Sequence, residues 1–333
     1  MRWPATADGA SFCSQYYGGI MARVLVTGGA GFIGSALVHR LLEQDAQVRV
    51  VDNFSTGFRH NLEDVLDRIE LLEGDLAEMP TAEAAVRDVE FVLHEAAIPS
   101  VQRSVDDPVN SNRANVTATL NLLVAARQAP VKRFVYASSS SAYGDTQVLP
   151  KVETMPDNPI SPYALTKLTG EKYCVVFHRI YGLPTVCLRY FNVFGPRQNP
   201  HSPYSAVISR FIDMALDGRR PTVYGDGEQS RDFTYIDNVV DANLLACQAD
   251  AANGMFFNIG TGERHTLNDL LGSLSMVVGS KLDAVYMEPR KGDVKHSQAD
   301  IGKARRVLGY EPKVSFEEGL RRTVDWFRRK SSR

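Results

Sequence analysis

Short apolar, β-branched runs alternate with longer stretches of helical periodicity along the first half of the chain. The short runs predict strands at residues 23–26, 47–52, 69–73, 91–95, 133–137 and 185–190. Apolar positions three to four residues apart predict helices at residues 32–42, 108–127 and 162–181. This alternation is typical of a parallel sheet covered by helices on both faces. The predicted fold class is therefore α/β: a Rossmann-type doubly wound parallel sheet with a smaller C-terminal part.

The pattern becomes irregular after Asn192, where prolines and glycines interrupt it. An apolar run at residues 256–259 predicts a strand that rejoins the sheet, and residues 316–328 predict an amphipathic helix. Residues 1–20 lack the apolar segment of a signal peptide and are predicted to be a dispensable extension. The predicted division is one domain at 21–192, rejoined by 234–262, and a second part at 193–233 and 263–330.

Composition narrows the function classes. A chain of 333 residues, 44% of them hydrophobic, can bury a large core, and a net charge of −2 gives no reason to expect nucleic acid as a partner. No apolar run approaches the roughly 18 residues of a membrane span. Wide cysteine spacing argues against a metal site or disulfide framework and fits a reducing cytosol. The cysteines are Cys13, Cys174, Cys187 and Cys247. We predict a cytoplasmic protein with no metal, membrane or nucleic-acid partner.

A glycine-rich turn joins the first strand to the first helix. Gly28, Gly31 and Gly34 follow GxxGxxG spacing. Glycines there let the backbone approach a pyrophosphate, which then meets the positive N-terminus of the helix. Asp52 ends the second strand, where a carboxylate accepts hydrogen bonds from an adenosine ribose and repels a 2′-phosphate. The pattern favours NAD over NADP, and Asp75, after the third strand, is a candidate for the adenine side.

Tyr163 and Lys167 lie one turn apart on the predicted helix 162–181, so both project from the same face. A phenol ionises at about pH 10, and a nearby ammonium together with a positive nicotinamide ring would lower that pKa. YxxxK spacing alone is weak evidence, because both residue types are common. The serine cluster at 138–141 strengthens it, since ligands bind at the carboxyl ends of parallel strands.

Four segments together resemble the extended short-chain dehydrogenase/reductase family, and within it the nucleotide-sugar 4-epimerases. They are the glycine loop, residues 137–144, the Tyr163–Lys167 pair and the run Arg189-Tyr190-Phe191-Asn192-Val193-Phe194-Gly195-Pro196. The resemblance covers about residues 21–330. It implies that Ser139, four residues before Tyr143, works with Tyr163 and Lys167 in catalysis. The further cofactor contacts that it implies are Phe32, Ile33, Asn53, Leu76, Ala96 and Ala97.

The resemblance also separates related activities. Sugar-nucleotide 4,6-dehydratases carry Asp-Glu where this chain has Ser140 and Ser141, and UDP-glucuronate decarboxylases usually retain the glutamate. Epimerisation at C4 needs neither carboxylate. Glu95 departs from the family, which usually has leucine there.

Arginines are the best candidates for binding a substrate diphosphate, because guanidinium groups match phosphate oxygens bidentately. Arg231 and Arg290 are the two candidates. The remaining substrate contacts that the resemblance implies are Ser100, Ser140, Ser141, Asn192, Val207, Tyr224, Asp293 and Ser297. In epimerases restricted to plain hexoses, a bulky tyrosine stands at the position of Ser297. A serine leaves space for a 2-N-acetyl group, and losing a steric block is a direct way to change specificity.

The predicted function is NAD-dependent C4 epimerisation of a UDP-sugar through a 4-keto intermediate. UDP-GlcNAc/UDP-GalNAc are the predicted substrates, together with UDP-glucose/UDP-galactose. The alternatives are a UDP-glucuronate 4-epimerase, a net NAD-dependent sugar-nucleotide dehydrogenase or reductase, and a silent NAD-binding regulator. The resemblance also implies a homodimer formed through two long helices.

Overall fold

The computed structural model describes residues 22–201, 206–288 and 294–331. Its central sheet has seven strands in the spatial order β3–β2–β1–β4–β5–β6–β11, all parallel. These strands are β1 Arg23–Thr27, β2 Gln47–Asp52, β3 Ile69–Glu73, β4 Phe91–His94, β5 Arg133–Ser139, β6 Thr185–Tyr190 and β11 Met255–Ile259. The strand order reverses between β1 and β4, and ligands bind outside the carboxyl ends of the strands at such a point.

The helices of the described residues are α1 Phe32–Glu43, α2 Met79–Ala85, α3 Val101–Asp106, α4 Pro108–Asn112, α5 Ala118–Ala126, α6 Pro162–Tyr181, α7 Val207–Leu216, α8 Ile236–Gln248, α9 Leu267–Val278, α10 Gly302–Leu308 and α11 Phe316–Ser331. The short strands are β7 Val193–Phe194, β8 Thr222–Tyr224, β9 Ser230–Arg231, β10 Thr234–Tyr235, β12 His265–Thr266 and β13 Val285–Met287. They form three two-stranded pairs, β7 with β10, β8 with β13 and β9 with β12. No helix in the part of the chain described here is long and apolar enough to cross a membrane.

Alternation along β1 shows why the sheet is covered on both faces. Val24 and Val26 belong to one buried cluster, whereas Leu25, between them, belongs to a second cluster on the opposite face. Both clusters consist mainly of aliphatic residues, which is typical of parallel strands buried on both sides. The predicted Rossmann-type α/β fold is confirmed.

Most predicted elements are found with small shifts in their ends. β2, β3, β6 and α6 have the predicted bounds. α6 begins where the Ser161 hydroxyl accepts a hydrogen bond from the Ala164 N–H at 3.1 Å, and it ends at Gly182, whose φ is +70°. β11 pairs with β6, so the predicted strand does rejoin the sheet.

Two predicted elements were wrong in detail. The helix predicted at 108–127 is interrupted by a π-helical turn, Arg113–Thr117, between α4 and α5. This turn accommodates one extra residue, which apolar periodicity does not reveal. β5 continues to Ser139, two residues beyond the prediction, because Ser138 and Ser139 remain paired with β6 despite being polar.

Candidate active site

The loop from β1 to α1 is shaped by its glycines. Gly28 has a left-handed φ of +64°, and its N–H donates to the Val51 carbonyl at 2.7 Å. A Cβ on Gly28 would lie 2.8 Å from the backbone of Ala96, and one on Gly34 would lie 2.2 Å from the Gly28 carbonyl oxygen. Gly31 is the N-cap residue of α1, and no side chain caps the helix there. The N-terminus of α1 is thus bordered by bare backbone, which fits a dinucleotide pyrophosphate.

Asp52 fixes this loop from the end of β2. Its carboxylate accepts hydrogen bonds from the Ala30 N–H at 2.9 Å and the Phe54 N–H at 2.8 Å. Burial raises the pKa of Asp52, and the two hydrogen bonds act in the opposite direction. Phe32 and Ile33 form the first turn of α1 and pack against the core. The residues predicted for the pyrophosphate and the ribose therefore lie together.

Asp75 lies beside Asn53, as the predicted adenine end requires. It hydrogen bonds to Asn53, accepts from the Ala77 N–H at 2.9 Å and forms an ion pair with Arg113. Burial acts to raise the pKa of Asp75, but these hydrogen bonds and the Arg113 charge lower it overall. Leu76 is buried immediately after it. Arg113 could not be predicted as part of this site, because its partner Asp75 lies far away along the chain.

His94 has a structural role at the end of β4. Its Nδ1 lies 2.7 Å from the Thr27 hydroxyl, and its Nε2 lies 2.9 Å from the Thr119 hydroxyl. Burial, aided by the charge of Lys167, lowers the pKa of His94 to about 3, so the ring is neutral. The Thr27 hydroxyl also accepts from the Ala96 N–H at 3.1 Å, which positions the half-buried Ala96 and Ala97. No group of potential metal ligands occurs among residues 22–201, 206–288 and 294–331.

Ser139, Tyr163 and Lys167 meet at the carboxyl edge of the sheet. The Ser139 side chain hydrogen bonds to Tyr163, and its oxygen accepts from the Ser141 N–H at 3.2 Å and the Ser141 hydroxyl at 2.8 Å. Lys167 is buried, with Nζ 5.0 Å from the centre of the Tyr136 ring. Ser140 follows Ser139 in a short 3₁₀ turn, Ser140–Tyr143. The turn Ser140–Tyr143 contains two serines and no carboxylate.

Burial is the largest effect of the protein's own groups on the Tyr163 pKa, and the lowering by a nicotinamide ring stays a prediction. Burial raises the pKa of Tyr163, the Ser139 hydrogen bond lowers it, and the charge of Glu95 raises it further. Burial lowers the pKa of Lys167 to about 8, against the charge of Glu95. Desolvation is the largest effect at both groups, and it depends on the folded structure rather than on the local sequence.

Polar contacts that were not predicted from the sequence hold the first turn of α6. The Tyr163 N–H donates to the Ser104 hydroxyl at 2.9 Å. The Thr166 hydroxyl donates to the Tyr163 carbonyl at 2.8 Å and accepts from Asn115 Nδ2 at 3.0 Å. Asn115 lies in the π-helical turn, and its Oδ1 also accepts from the Ile98 N–H at 2.8 Å. The turn thereby connects the loop after β4 to the helix that carries Tyr163.

Gly170 allows the catalytic helix to approach the sheet. A Cβ there would lie 2.3 Å from Tyr136 Oη. The Tyr136 hydroxyl donates to the Lys167 carbonyl at 3.2 Å. A glycine within a helix usually has a packing reason, and this signal was present in the sequence.

A buried ion pair joins the same helix, α6, to strand β6. Arg189 on β6 and Glu171 on α6 are fully buried, with Arg189 Nη2 2.7 Å and Nε 2.8 Å from the carboxylate. The Ser138 hydroxyl donates to Glu171 at 2.7 Å, and Asp157 receives a further hydrogen bond from Arg189 at 2.6 Å. The guanidinium also lies 4.6 Å from the centre of the Tyr143 ring. The residue before Ser139 is therefore tied to the helix that carries Lys167.

The predicted substrate residues fall into two groups. Near β9, Arg231 Nη1 donates to the carbonyls of Ser230 and Lys295, each at 3.0 Å, and the Ser297 N–H donates to the Ser230 carbonyl at 3.0 Å. Ser297 therefore lies next to the predicted diphosphate ligand Arg231. Arg290 and Asp293 lie outside the described residues.

The other predicted substrate residues occupy the ends of elements. Val207 begins α7, and Tyr224 ends β8, where its carbonyl accepts from Gln229 at 2.6 Å. Asn192 follows β6 with φ +24°, and its carbonyl accepts from the Thr234 N–H at 3.2 Å. The Ser100 hydroxyl accepts from the Arg103 N–H at 3.1 Å, so it caps α3.

The glycine loop lies where the strand order reverses, and Ser139, Tyr163 and Lys167 lie at the same carboxyl edge of the sheet. This arrangement defines a dinucleotide-dependent enzyme of the short-chain dehydrogenase/reductase type. Residues 24–260 match the model of the NAD dependent epimerase/dehydratase family. The chain belongs to this family. The predictions of an extended short-chain fold, of NAD as cofactor and of an isomerase are confirmed.

Similar proteins cover nearly the whole chain. The UDP-glucose 4-epimerase of Mycolicibacterium smegmatis is 40% identical over 313 residues, spanning 93% of this chain and 99% of its own length. The crystal structure of UDP-glucose 4-epimerase from Thermotoga maritima with UDP-glucose is 42% identical, with a TM-score of 0.88 over 93% of this chain and 99% of that chain. UDP-N-acetylglucosamine 4-epimerase from Methanobrevibacter ruminantium, in complex with UDP-N-acetylmuramic acid, is 40% identical, with a TM-score of 0.89 over the same shares.

Proposed function

We propose that the enzyme inverts C4 of a UDP-sugar through a transient 4-keto intermediate. The hydrogen bond between Ser139 and Tyr163, one helical turn from the buried Lys167, is the observation that carries the proposal. The relatives named above act on UDP-glucose or UDP-N-acetylglucosamine by their names, which supports a UDP-sugar as the substrate.

The chemistry follows from the positions of these groups. Tyr163 takes the proton of the sugar 4-hydroxyl, and Ser139 holds the same oxygen through its hydroxyl. Lys167 holds positive charge beside the developing phenol. When bound, NAD supplies a reversible acceptor for the hydride of C4. The 4-keto sugar rotates in the site, C4 then takes the hydride back on its opposite face, and its oxygen takes the proton back from Tyr163. No net redox change occurs.

Ser140 and Ser141 support epimerisation over elimination. A dehydratase needs an acid and a base near C5 and C6, whereas Ser141 here donates to Ser139 at 2.8 Å. A net dehydrogenase or reductase could carry the same catalytic residues. It would produce or consume NADH in step with the sugar, so following NADH absorbance during turnover separates the two.

Ser297 supports N-acetylhexosamine substrates. Its backbone is hydrogen bonded to Ser230, beside Arg231, so the small side chain lies next to the residue proposed for the diphosphate. A serine there leaves room for a 2-N-acetyl group. We propose that the enzyme interconverts UDP-GlcNAc and UDP-GalNAc, and also UDP-glucose and UDP-galactose, with UDP-glucuronate as the alternative substrate.

The test is NMR of product mixtures from UDP-GlcNAc, UDP-glucose and UDP-glucuronate, without added NAD. We expect equilibrium mixtures of the first two pairs, and interconversion of none of the three would refute the proposal. Ser297→Tyr is expected to lose UDP-GlcNAc turnover and retain UDP-glucose turnover, with Ser297→Ala as the control. A preference of the unaltered enzyme for UDP-glucose over UDP-GlcNAc would contradict the argument from Ser297.

We further propose a homodimer through the helical face formed by α3, α4 and α6. Val105, Val109, Leu165 and Ile180 are exposed on these helices, Val109 by 79% and Ile180 by 65%. Apolar side chains gathered on adjoining helices mark a surface that associates in solution. Light scattering should give twice the chain mass, and Ile180→Lys should give monomers.

A further inference from the structure

Glu95 adjoins the catalytic residues, and the proposed mechanism does not use it. It follows β4 directly at the carboxyl edge of the sheet. Tyr190 Oη donates to its Oε1 at 2.7 Å, and Asn243 Nδ2 donates to the same phenol oxygen at 2.8 Å. Tyr190 in turn is paired with Ser139 in the sheet. The carboxylate is therefore held in one orientation from β6 and α8, beside the strand end that carries Ser139.

Glu95 and Lys167 approach each other across the sheet. Lys167 Nζ lies 5.0 Å from the centre of the Tyr136 ring, and Tyr136 on β5 is paired with His94, the residue before Glu95. Burial raises the pKa of Glu95 to about 7, while the hydrogen bond from Tyr190 and the charge of Lys167 lower it. Burial lowers the pKa of Lys167 to about 8, while Glu95 raises it. Both ionised forms are disfavoured by desolvation, and each is stabilised by the other.

The other titratable groups around this pair do not supply the negative charge that Glu95 supplies. His94, the last residue of β4, is neutral and hydrogen bonded to two threonines. Cys174 on α6 and Cys247 on α8 are buried thiols, and burial raises the pKa of Cys247 to about 12. Burial raises the pKa of Tyr190 far above its usual value. Among the described residues, Glu95 is the carboxylate whose charge acts on both Tyr163 and Lys167.

We propose that Glu95 is a positioning residue, an anchored counter-charge that keeps the desolvated Lys167 an ammonium ion and sets the pH range in which Tyr163 works. The proposal rests on the function proposed above. Removing the charge would make Lys167 lose its proton more readily, and it would also make Tyr163 ionise more readily. Both limbs of the pH–rate profile would then move toward acid.

Glu95→Gln tests this, because it removes the charge and keeps a side chain of the same shape for Tyr190 to bond. We expect both limbs of the profile of UDP-sugar interconversion to move down by about one pH unit. Glu95→Asp keeps the charge and should restore the limbs. Lower turnover in Glu95→Gln with both limbs unmoved would overturn the proposal, since a merely structural role predicts that result.

Asp237→Asn is the matched control. Burial raises the pKa of Asp237 to about 7 as well, but its charged neighbours are Arg40, Arg322, Asp241 and Glu43. Asp237→Asn should therefore leave both limbs of the pH–rate profile in place. If Asp237→Asn moves them as Glu95→Gln does, the effect belongs to overall stability and the proposal fails.

A second readout is independent of turnover. The near-ultraviolet absorbance of ionised tyrosine, followed against pH and corrected with Tyr163→Phe, reports the ionisation of Tyr163. Glu95→Gln should lower its midpoint, and an unchanged midpoint would overturn the proposal. If the unaltered enzyme interconverts no UDP-sugar, the proposed function fails, while this titration still decides the role of Glu95.

Discussion

Glu171→Gln should destabilise the enzyme more than most single substitutions. The carboxylate receives hydrogen bonds from Ser138 and from two nitrogens of Arg189, at 2.7–2.8 Å, and both charged partners are fully buried. A glutamine has one acceptor oxygen, and its amide group would direct N–H donors at the guanidinium. Asp157 would be the remaining anion near Arg189, and it is partly exposed.

The expected loss is about 3–5 kcal/mol of the free energy of unfolding, because the substitution leaves a buried guanidinium charge poorly compensated. Urea unfolding followed by circular dichroism measures it. Glu171→Leu combined with Arg189→Met should cost less than the two single changes added together, since no unpaired charge then remains buried. A loss below about 1 kcal/mol for Glu171→Gln would refute this reasoning.

The control is an ion pair of the same chemistry on the surface. Arg305 and Glu311 are 3.1 Å apart, and both side chains are at least half exposed. Glu311→Gln should cost less than about 1 kcal/mol, because water screens the pair in the folded protein and hydrates the separated charges. Equal losses for Glu171→Gln and Glu311→Gln would show that burial does not determine the effect.

Three further predictions concern the catalytic base, the cofactor loop and pH. Tyr163→Phe should lower epimerase turnover about 10²–10⁴-fold with an unchanged circular dichroism spectrum, and full activity would refute its role as base. Gly28→Ala should reduce the NAD that copurifies, measured by absorbance after denaturation, because its Cβ meets Ala96. Gly182→Ala is the control, with a similar φ and open space around it. Burial raises the pKa of Asp237 to about 7, so the folded protein keeps a proton that the unfolded chain releases from about pH 4 upward. Stability should therefore fall as the pH rises from about 4 to 7, and melting temperatures of Asp237→Asn should show a smaller fall over that window.

The sequence was most informative where local chemistry decides the structure. α6 could be placed from Pro162 and Gly182 because these residues begin and stop a helix for local reasons. The glycine loop was recognisable because a tight approach of backbone leaves few other residues possible. The sequence–structure agreement for Ser139 and Tyr163 depended on the family resemblance, since the spacing of Tyr163 and Lys167 alone is common.

What the sequence left open depends on contacts between distant segments. Arg189 and Glu171 gave no local sign of pairing, because the fold brings β6 against α6. The π-helical turn that holds Asn115 resembles an ordinary helix in its apolar spacing. Burial raises the pKa of Tyr163, and this desolvation could not be predicted from the sequence because it is a property of the assembled fold.

The position of β11 affects how the chain folds during synthesis. β6 is paired on its outer side by β11, which the ribosome makes only after most of the irregular segment that follows Asn192. Until then, β6 is an edge strand with unpaired N–H and C=O groups, and such an edge can add a strand from another chain. A fragment that ends before β11 would keep that edge open. The glycine loop and catalytic residues all lie upstream, yet the sheet that positions them is complete only when a late segment arrives.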